Sequence, residues 1–142
     1  MTGARARSPD AKRARRQSIL TTAEQILRDN GFDAFTMNSL ATTTGLAKGT
    51  LYLYFSSREE LVLALYIQLN DYWVDRFLLA EKAYLPPDYA ALCARFYQSF
   101  AADALLVDLA GRAAFGLEPY VATLTKVRAK QAYARVARRI SG

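Results

Sequence analysis

Apolar residues recur at helical spacing along the chain, and the apolar–polar alternation that is typical of strands is absent. The first apolar stripe predicts one buried face of a helix and consists of Ile19, Leu20, Ala23, Ile26 and Leu27. Gly31 follows this stripe, and glycine readily adopts the left-handed backbone that ends a helix. We therefore predict that the first helix stops at Gly31 and that Phe32 and Phe35 fill a small core beside it.

Residues 36–55 predict two short helices separated by a tight turn. Thr36 is a favourable N-cap residue for the first helix, and Gly45 supplies the turn. In the second helix, which spans 47–55, Leu51 and Phe55 lie four residues apart, so both face the core. The residues left on its outer face are Lys48, Thr50, Tyr52 and Tyr54. This arrangement is typical of a helix-turn-helix, whose second helix lies in the major groove of DNA.

The second helix of this motif begins with small residues, Ala47 and Gly49. In a helix, Gly49 costs about 1 kcal/mol relative to alanine. We therefore expect that close approach to a partner surface is what glycine provides at this position.

The rest of the chain predicts further helices. Ser56 and Ser57 each precede a glutamate by three residues, which is the capping-box spacing expected at the start of a fourth helix. Asp88 follows two prolines and is suited to cap a fifth helix. The predicted helices after the motif span about 56–83, 88–102, 103–115 and 118–140. The predicted fold class is all-α, with an N-terminal three-helix helix-turn-helix domain followed by a helical domain.

Basic charge is concentrated at the N-terminus. The chain has a net charge of +6, and residues 1–16 hold six arginine and lysine residues against a single aspartate. Basic arms of this kind attract phosphates. We expect residues 1–9 to be a disordered tail and Lys12–Arg16, which lie against the first helix, to contact phosphate.

The composition excludes several kinds of chemistry. The chain has no histidine and one cysteine, so zinc sites and histidine-based catalysis are not expected. Cys93 lies in an apolar helical pattern and is predicted to be a buried, inert thiol. No apolar run is long enough to span a membrane, and the basic N-terminus lacks the apolar core of a secretory signal. We expect a cytoplasmic protein with no enzymatic activity, cofactor, metal or membrane partner.

From about Arg16 to Ala64 the chain resembles the TetR-type transcriptional regulators. The resemblance is specific because many positions match at fixed spacing. The matching residues are Ile19-Leu20, Ala23, Gly31-Phe32, Thr36, Leu40-Ala41, Gly45 to Tyr52, Tyr54-Phe55 and Arg58 to Leu61.

The resemblance implies DNA contacts within the motif. Thr36 matches a phosphate contact made through its hydroxyl and backbone amide, and Asn38 matches a position that reaches a base or a phosphate. Arg58 matches a basic residue that holds a phosphate, with a solvated first-turn side chain as the alternative. The complete predicted DNA-binding set is Arg16, Thr36, Asn38, Ala47, Lys48, Gly49, Thr50, Tyr52, Tyr54 and Arg58.

Within the second helix of the motif, the resemblance assigns different kinds of contact. Lys48 and Thr50 match phosphate and base-edge contacts. Tyr52 and Tyr54 match aromatic residues that touch the DNA backbone or a thymine methyl group. For Tyr54 the alternative is a partly buried structural side chain.

The resemblance also implies a homodimer and a small effector bound in the larger domain. Family members are usually longer than this chain, which leaves two expectations open: a helical domain that is incomplete at its C-terminus, or remaining helices that pair in a different way. Aromatic residues that would line a pocket for an apolar or aromatic effector are Tyr66, Trp73, Phe77, Phe96, Tyr97, Phe100, Phe115 and Tyr120. Aromatic residues at helical spacing are more often plain core, and that alternative stays open.

The expected organisation comprises a basic, disordered arm at 1–14, a helix-turn-helix DNA-binding domain at 15–60, and a helical effector and dimerisation domain at 61–142. The predicted function is transcriptional regulation: a repressor binds a palindromic operator in double-stranded DNA with helix 47–55 and is released by its effector. The alternative is a truncated, non-enzymatic interaction protein that pairs with a full-length relative and binds DNA weakly or not at all by itself.

Overall fold

The computed structural model describes residues 8–81 and 88–114, and these residues form six α-helices. The helices are α1 (Pro9–Ala34), α2 (Met37–Thr44), α3 (Lys48–Tyr54), α4 (Arg58–Glu81), α5 (Tyr89–Ala101) and α6 (Ala104–Arg112). The described residues contain no strand, so the predicted all-α class is confirmed. Between Leu61 and Val62 the chain divides into two compact units. The helix predicted at 118–140 lies outside the described residues.

Helix α1 is amphipathic and is interrupted near its end. It begins at Ser8, whose Oγ accepts a hydrogen bond from the backbone N–H of Ala11 at 3.1 Å. The buried residues of α1 are Ile19, Leu20, Ala23, Ile26 and Leu27, the stripe predicted from the sequence. Gly31 leaves helical geometry with a positive φ of 76°, as predicted, but α1 does not stop there and extends to Ala34.

Helix α2 is fixed by local signals at both ends. At its start, the Thr36 hydroxyl accepts from the Ser39 N–H at 3.0 Å, and the Ser39 hydroxyl accepts from the Thr36 N–H at 3.0 Å. At its end, Gly45 has a φ of 69°, in the left-handed region where residues with a Cβ are strained. Thr36 therefore fixes the start of α2, and Gly45 fixes the turn between α2 and α3, as predicted.

We expect Thr36→Ala to lower the free energy of unfolding by about 1 kcal/mol, because the Ser39 N–H loses its acceptor. Urea denaturation followed by circular dichroism measures the change. Thr43→Ala is the control, since the Thr43 hydroxyl only bonds back to the Ser39 carbonyl within the same helix. An unfolding midpoint for Thr36→Ala equal to that of the wild type would contradict this role.

Aspartate caps and an ion pair organise the second unit. Asp88 accepts from the backbone N–H groups of Ala90 and Ala91 at the start of α5, and Asp103 caps α6 in the same way. Arg95 of α5 donates to both carboxylate oxygens of Glu81 in α4, at 2.8 and 2.6 Å. These hydrogen bonds hold the pKa of the Glu81 carboxyl below its ordinary value.

The prediction that Cys93 is buried is wrong, because the thiol is exposed. Cys93 lies one turn from both Tyr89 and Tyr97, which are 74% and 72% exposed. None of the residues of α5 is fully buried. The apolar spacing of this helix therefore does not correspond to a buried stripe around Cys93.

Candidate nucleic-acid interface

The outer face of α3 is set by the residues that anchor its inner face. Leu51 and Phe55 are 0% and 1% exposed, and Leu40 of α2 is fully buried as well. All three belong to the core of the first unit, as their helical spacing predicts. Because Leu51 and Phe55 fix the rotation of α3, the opposite side of this helix must face away from the core.

The predicted contact residues of α3 occupy this outer face to different extents. Lys48 and Gly49 are exposed, and Tyr52 is 43% exposed. Thr50 and Tyr54 are half-buried at the flanks of the helix. Ala47 is the N-cap residue and is exposed. The structure therefore places these six residues together: five lie within α3, which is seven residues long, and Ala47 is its N-cap. Their contact with DNA stays a prediction.

Gly49 lies beside open space. A Cβ added to Gly49 would meet no other atom of the chain within 4 Å. Neither packing nor a positive φ therefore requires glycine here, in contrast to Gly31 and Gly45. This arrangement fits the expectation that the missing side chain serves contact with a partner rather than the fold.

In α2, Asn38 is exposed, whereas Thr36 already takes part in the capping box. The Thr36 backbone amide, which we expected at a phosphate, donates to the Ser39 hydroxyl. The Thr36 hydroxyl accepts from the Ser39 amide, and a hydroxyl can still donate its own proton. Of the two predicted phosphate contacts of Thr36, the hydroxyl is thus the one that this geometry favours.

Arg58 has a role within the fold that the sequence did not reveal. Its guanidinium Nη2 donates to the Phe32 carbonyl at 2.6 Å. The Arg58 Cζ lies 4.2 Å from the centre of the Phe32 ring and 5.9 Å from that of Phe35. Both distances are within the range of a cation–π interaction. Arg58 thereby connects the start of α4 to the end of α1, and its phosphate contact stays a prediction.

Arg16 likewise contacts an aromatic ring of the first unit. Its Cζ lies 4.8 Å from the centre of the Phe55 ring, and its side chain is half-buried. Arg16 therefore helps to pack α1 against the residue that ends α3. Its predicted phosphate contact would require a guanidinium edge that remains accessible beside that ring.

One residue of the outer face was missed from the sequence. Leu53 is 85% exposed, although it is a large apolar residue within α3. It was overlooked because leucine carries no polar group that marks a base contact. Its helical position was nevertheless readable from the sequence. Leu53 lies two residues from both inward-facing positions, Leu51 and Phe55, and therefore faces away from the core.

The predicted effector residues form part of an aromatic cluster in the second unit. The Trp73 ring lies 5.8, 4.9 and 5.1 Å from the rings of Phe77, Phe96 and Phe100. Its indole N–H donates to the Ser99 hydroxyl at 3.2 Å. These contacts make Trp73 the centre of the packing between α4 and α5. The remaining candidates comprise buried Tyr66, exposed Tyr97, and Phe115 and Tyr120, which lie outside the described residues.

Across residues 8–81 and 88–114, no three histidine, cysteine, aspartate or glutamate side chains are grouped so that they could hold a metal ion. Within the same ranges, no helix has the length and apolar character required to cross a membrane.

Helices α2 and α3, which are connected by a tight turn at Gly45 and of which α3 faces outward, have the layout of a helix-turn-helix. Residues 19–65 match the family model described as bacterial regulatory proteins, tetR family. Residues 19–65 are therefore similar to this family, and the predicted resemblance to TetR-type transcriptional regulators is confirmed.

Individual relatives agree with this assignment. The chain is 26% identical over 94 residues to the fatty acid metabolism regulator protein of Bacillus subtilis (strain 168), covering 65% of this chain and 48% of that protein. It is 28% identical over 96 residues to the HTH-type transcriptional regulator UidR of Escherichia coli (strain K12), covering 66% of this chain and 49% of UidR. The chain thus spans about half the length of these curated relatives. Both are named as regulators rather than as enzymes.

A solved structure supports the fold beyond the matched domain. The crystal structure of a TetR family transcription regulator from Marinobacter aquaeolei VT8 aligns with a TM-score of 0.59. The alignment covers 94% of this chain and 70% of that chain, at 18% sequence identity. This similarity shows a shared helical fold.

Proposed function

We propose that this protein is a non-enzymatic transcriptional repressor that binds operator DNA through α3 and acts in the cytoplasm, where bacterial DNA lies. The observation that carries this proposal is the orientation of α3. Leu51 and Phe55 are buried on one side, which leaves Lys48, Thr50 and Tyr52 available on the rest of the helix. A short helix that presents polar and aromatic groups in this way suits the major groove.

The proposed contacts are of two kinds: contacts with phosphates, which position the protein on DNA, and contacts with base edges, which determine sequence specificity. Lys48 is exposed at the first residue of α3, where its ammonium group suits a backbone phosphate. Thr50 and Tyr52 follow along the helix and are proposed to reach base edges or a thymine methyl group. Asn38 is exposed on α2 and is proposed to contact the flanking strand.

We further propose that two copies bind one palindromic operator. A single helix-turn-helix domain makes few phosphate contacts. A dimer places two such domains one turn of DNA apart, which is about 34–36 Å. Analytical ultracentrifugation of the protein, alone and with operator DNA, tests this step. A complex of one copy per duplex would contradict it.

Release by an apolar or aromatic effector in the second unit completes the proposal. The rings around Trp73 offer apolar and aromatic surface for such a molecule. An effector releases the protein only if it binds the DNA-incompetent conformation more tightly than the DNA-bound one. A compound that binds with equal affinity in the presence and absence of operator DNA would therefore not be the effector.

The decisive experiment is selection of bound duplexes from a random pool by the purified protein at near-physiological salt. We expect an enriched palindrome for the wild type and loss of enrichment for Tyr52→Ala. Tyr89→Ala is the matched control, because Tyr89 is a 74% exposed tyrosine in α5 that belongs to neither proposed site. Enrichment of no sequence would overturn the proposal and favour an interaction protein that pairs with a longer relative.

We expect Lys48→Ala to weaken binding to every DNA sequence. Removing one phosphate contact lowers the slope of log affinity against log salt by about one unit. The slope is measured by titration at several salt concentrations. Arg76→Ala removes the same charge from an exposed position in α4 and should leave the slope unchanged. An unaltered slope for Lys48→Ala would exclude Lys48 from the phosphate contacts.

A further inference from the structure

Leu53 stands out on the proposed DNA-binding helix because it is 85% exposed. A single exposed leucine is common on protein surfaces and needs no explanation by itself. A role for Leu53 is therefore inferred from its position in α3 and not from its exposure alone.

Leu53 lies on the side of α3 directly opposite the core. Residues two apart on an α-helix are separated by about 200°, and Leu53 is two residues from both Leu51 and Phe55. Those two side chains are 0% and 1% exposed. Gly49, one turn earlier, lies on the same outer line and has open space beside it. Gly49 and Leu53 therefore form the outermost ridge of α3, with Thr50 and Tyr52 on its flanks.

When α3 lies in the major groove with the face opposite the core turned inward, as the proposed function requires, this ridge enters the groove most deeply. Its only side chain is purely apolar. Leucine offers no hydrogen-bond donor or acceptor. Among the groups that base edges present in the major groove, the thymine C5-methyl group is the apolar one. A cytosine in the same place would present an amino donor that loses water without gaining a partner from Leu53.

We propose that Leu53 contacts the methyl group of one thymine in each half-site and thereby sets the base preference at that position. This inference rests on the proposed function, because it assigns a specificity-determining residue to the same helix. It differs from the polar contacts proposed for Lys48 and Thr50, since its effect is confined to a single methyl group.

The test replaces each thymine of the selected operator in turn by deoxyuridine, which removes only the C5-methyl group. For the wild type, we expect affinity to fall roughly fourfold at one position of each half-site, the effect of losing one buried methyl group. Leu53→Ala should bind the thymine and deoxyuridine forms of that position equally. Leu79→Ala is the control, because Leu79 is a 70% exposed leucine in α4, and it should behave as the wild type.

The outcomes distinguish this inference from the function on which it rests. If the wild type selects an operator but Leu53→Ala responds to the same deoxyuridine as the wild type, Leu53 does not read the methyl group and the repressor proposal stands. If the wild type selects no sequence, both proposals fail. Thermal unfolding checks that Leu53→Ala remains folded, which the exposure of Leu53 leads us to expect.

Discussion

Arg58→Ala is expected to lower the free energy of unfolding by about 2–4 kcal/mol, an effect far larger than that of an ordinary surface arginine. The guanidinium makes a charge-assisted hydrogen bond to the Phe32 carbonyl at 2.6 Å. It also lies 4.2 Å from the Phe32 ring centre. Alanine removes both interactions and the apolar stem at once. Urea denaturation of the wild type and the variant measures the difference.

Two further variants separate the guanidinium from charge in general. Arg58→Lys should restore part of the lost stability, since an ammonium group can donate to one carbonyl but lacks the planar face that stacks on a ring. Arg13→Ala removes an arginine that pairs with Asp10 at the surface, where both side chains are about four-fifths exposed. Exposed pairs of this kind contribute little. If Arg58→Ala and Arg13→Ala unfold at the same urea concentration, Arg58 does not stabilise the first unit.

The same variants bear on the expected phosphate contact of Arg58. Its Nη2 donates to a backbone carbonyl of the chain, so a phosphate must compete with that carbonyl or use another edge of the guanidinium. We therefore expect Arg58→Lys, which keeps the charge, to leave the salt dependence of DNA binding unchanged. A change in that slope would show that the guanidinium itself reaches the DNA.

Local signals in the sequence located some of the helix ends. Thr36 and Asp88 cap α2 and α5, and Gly45 ends α2 in left-handed backbone. Each of these effects acts within about four residues, so it can be seen in a single sequence. The buried stripe of α1 was predictable for the same reason, since helical periodicity is a local property. The start of α1 at Ser8 was not located, because residues 1–9 were expected to be a disordered tail.

Interactions between distant residues were not predictable in this way. Arg58 meets the carbonyl of a residue 26 positions earlier, and no spacing rule connects the two. Cys93 was expected in a core because its neighbours are apolar, yet the apolar residues of α5 are only partly covered. Periodicity identifies an apolar face, whereas its burial depends on what packs against it. Leu53 was missed for a different reason, since the predicted contact set contains small, polar and aromatic residues but no large aliphatic one.

Gly49→Ala is expected to change stability and DNA affinity in opposite directions. A Cβ at Gly49 meets nothing within 4 Å, so alanine should leave stability unchanged or raise it by up to about 1 kcal/mol. On the proposed outer ridge, the same methyl group would push the start of α3 away from the groove. The flanking base contacts, each contributing about 1–3 kcal/mol, would then weaken together. We therefore expect operator affinity to fall by about tenfold or more.

Gly111→Ala provides the matched control, because Gly111 is also a helical glycine whose Cβ would meet nothing within 4 Å. It should preserve stability in the same way and leave operator affinity unchanged. The ridge also predicts different patterns for its two members: Gly49→Ala should weaken binding whichever base occupies the contacted positions, whereas Leu53→Ala should act at one thymine. If Gly49→Ala binds the operator as tightly as Gly111→Ala, the start of α3 does not approach DNA closely. The groove contact would then have to be made by Tyr52 and Thr50 from a helix held further out.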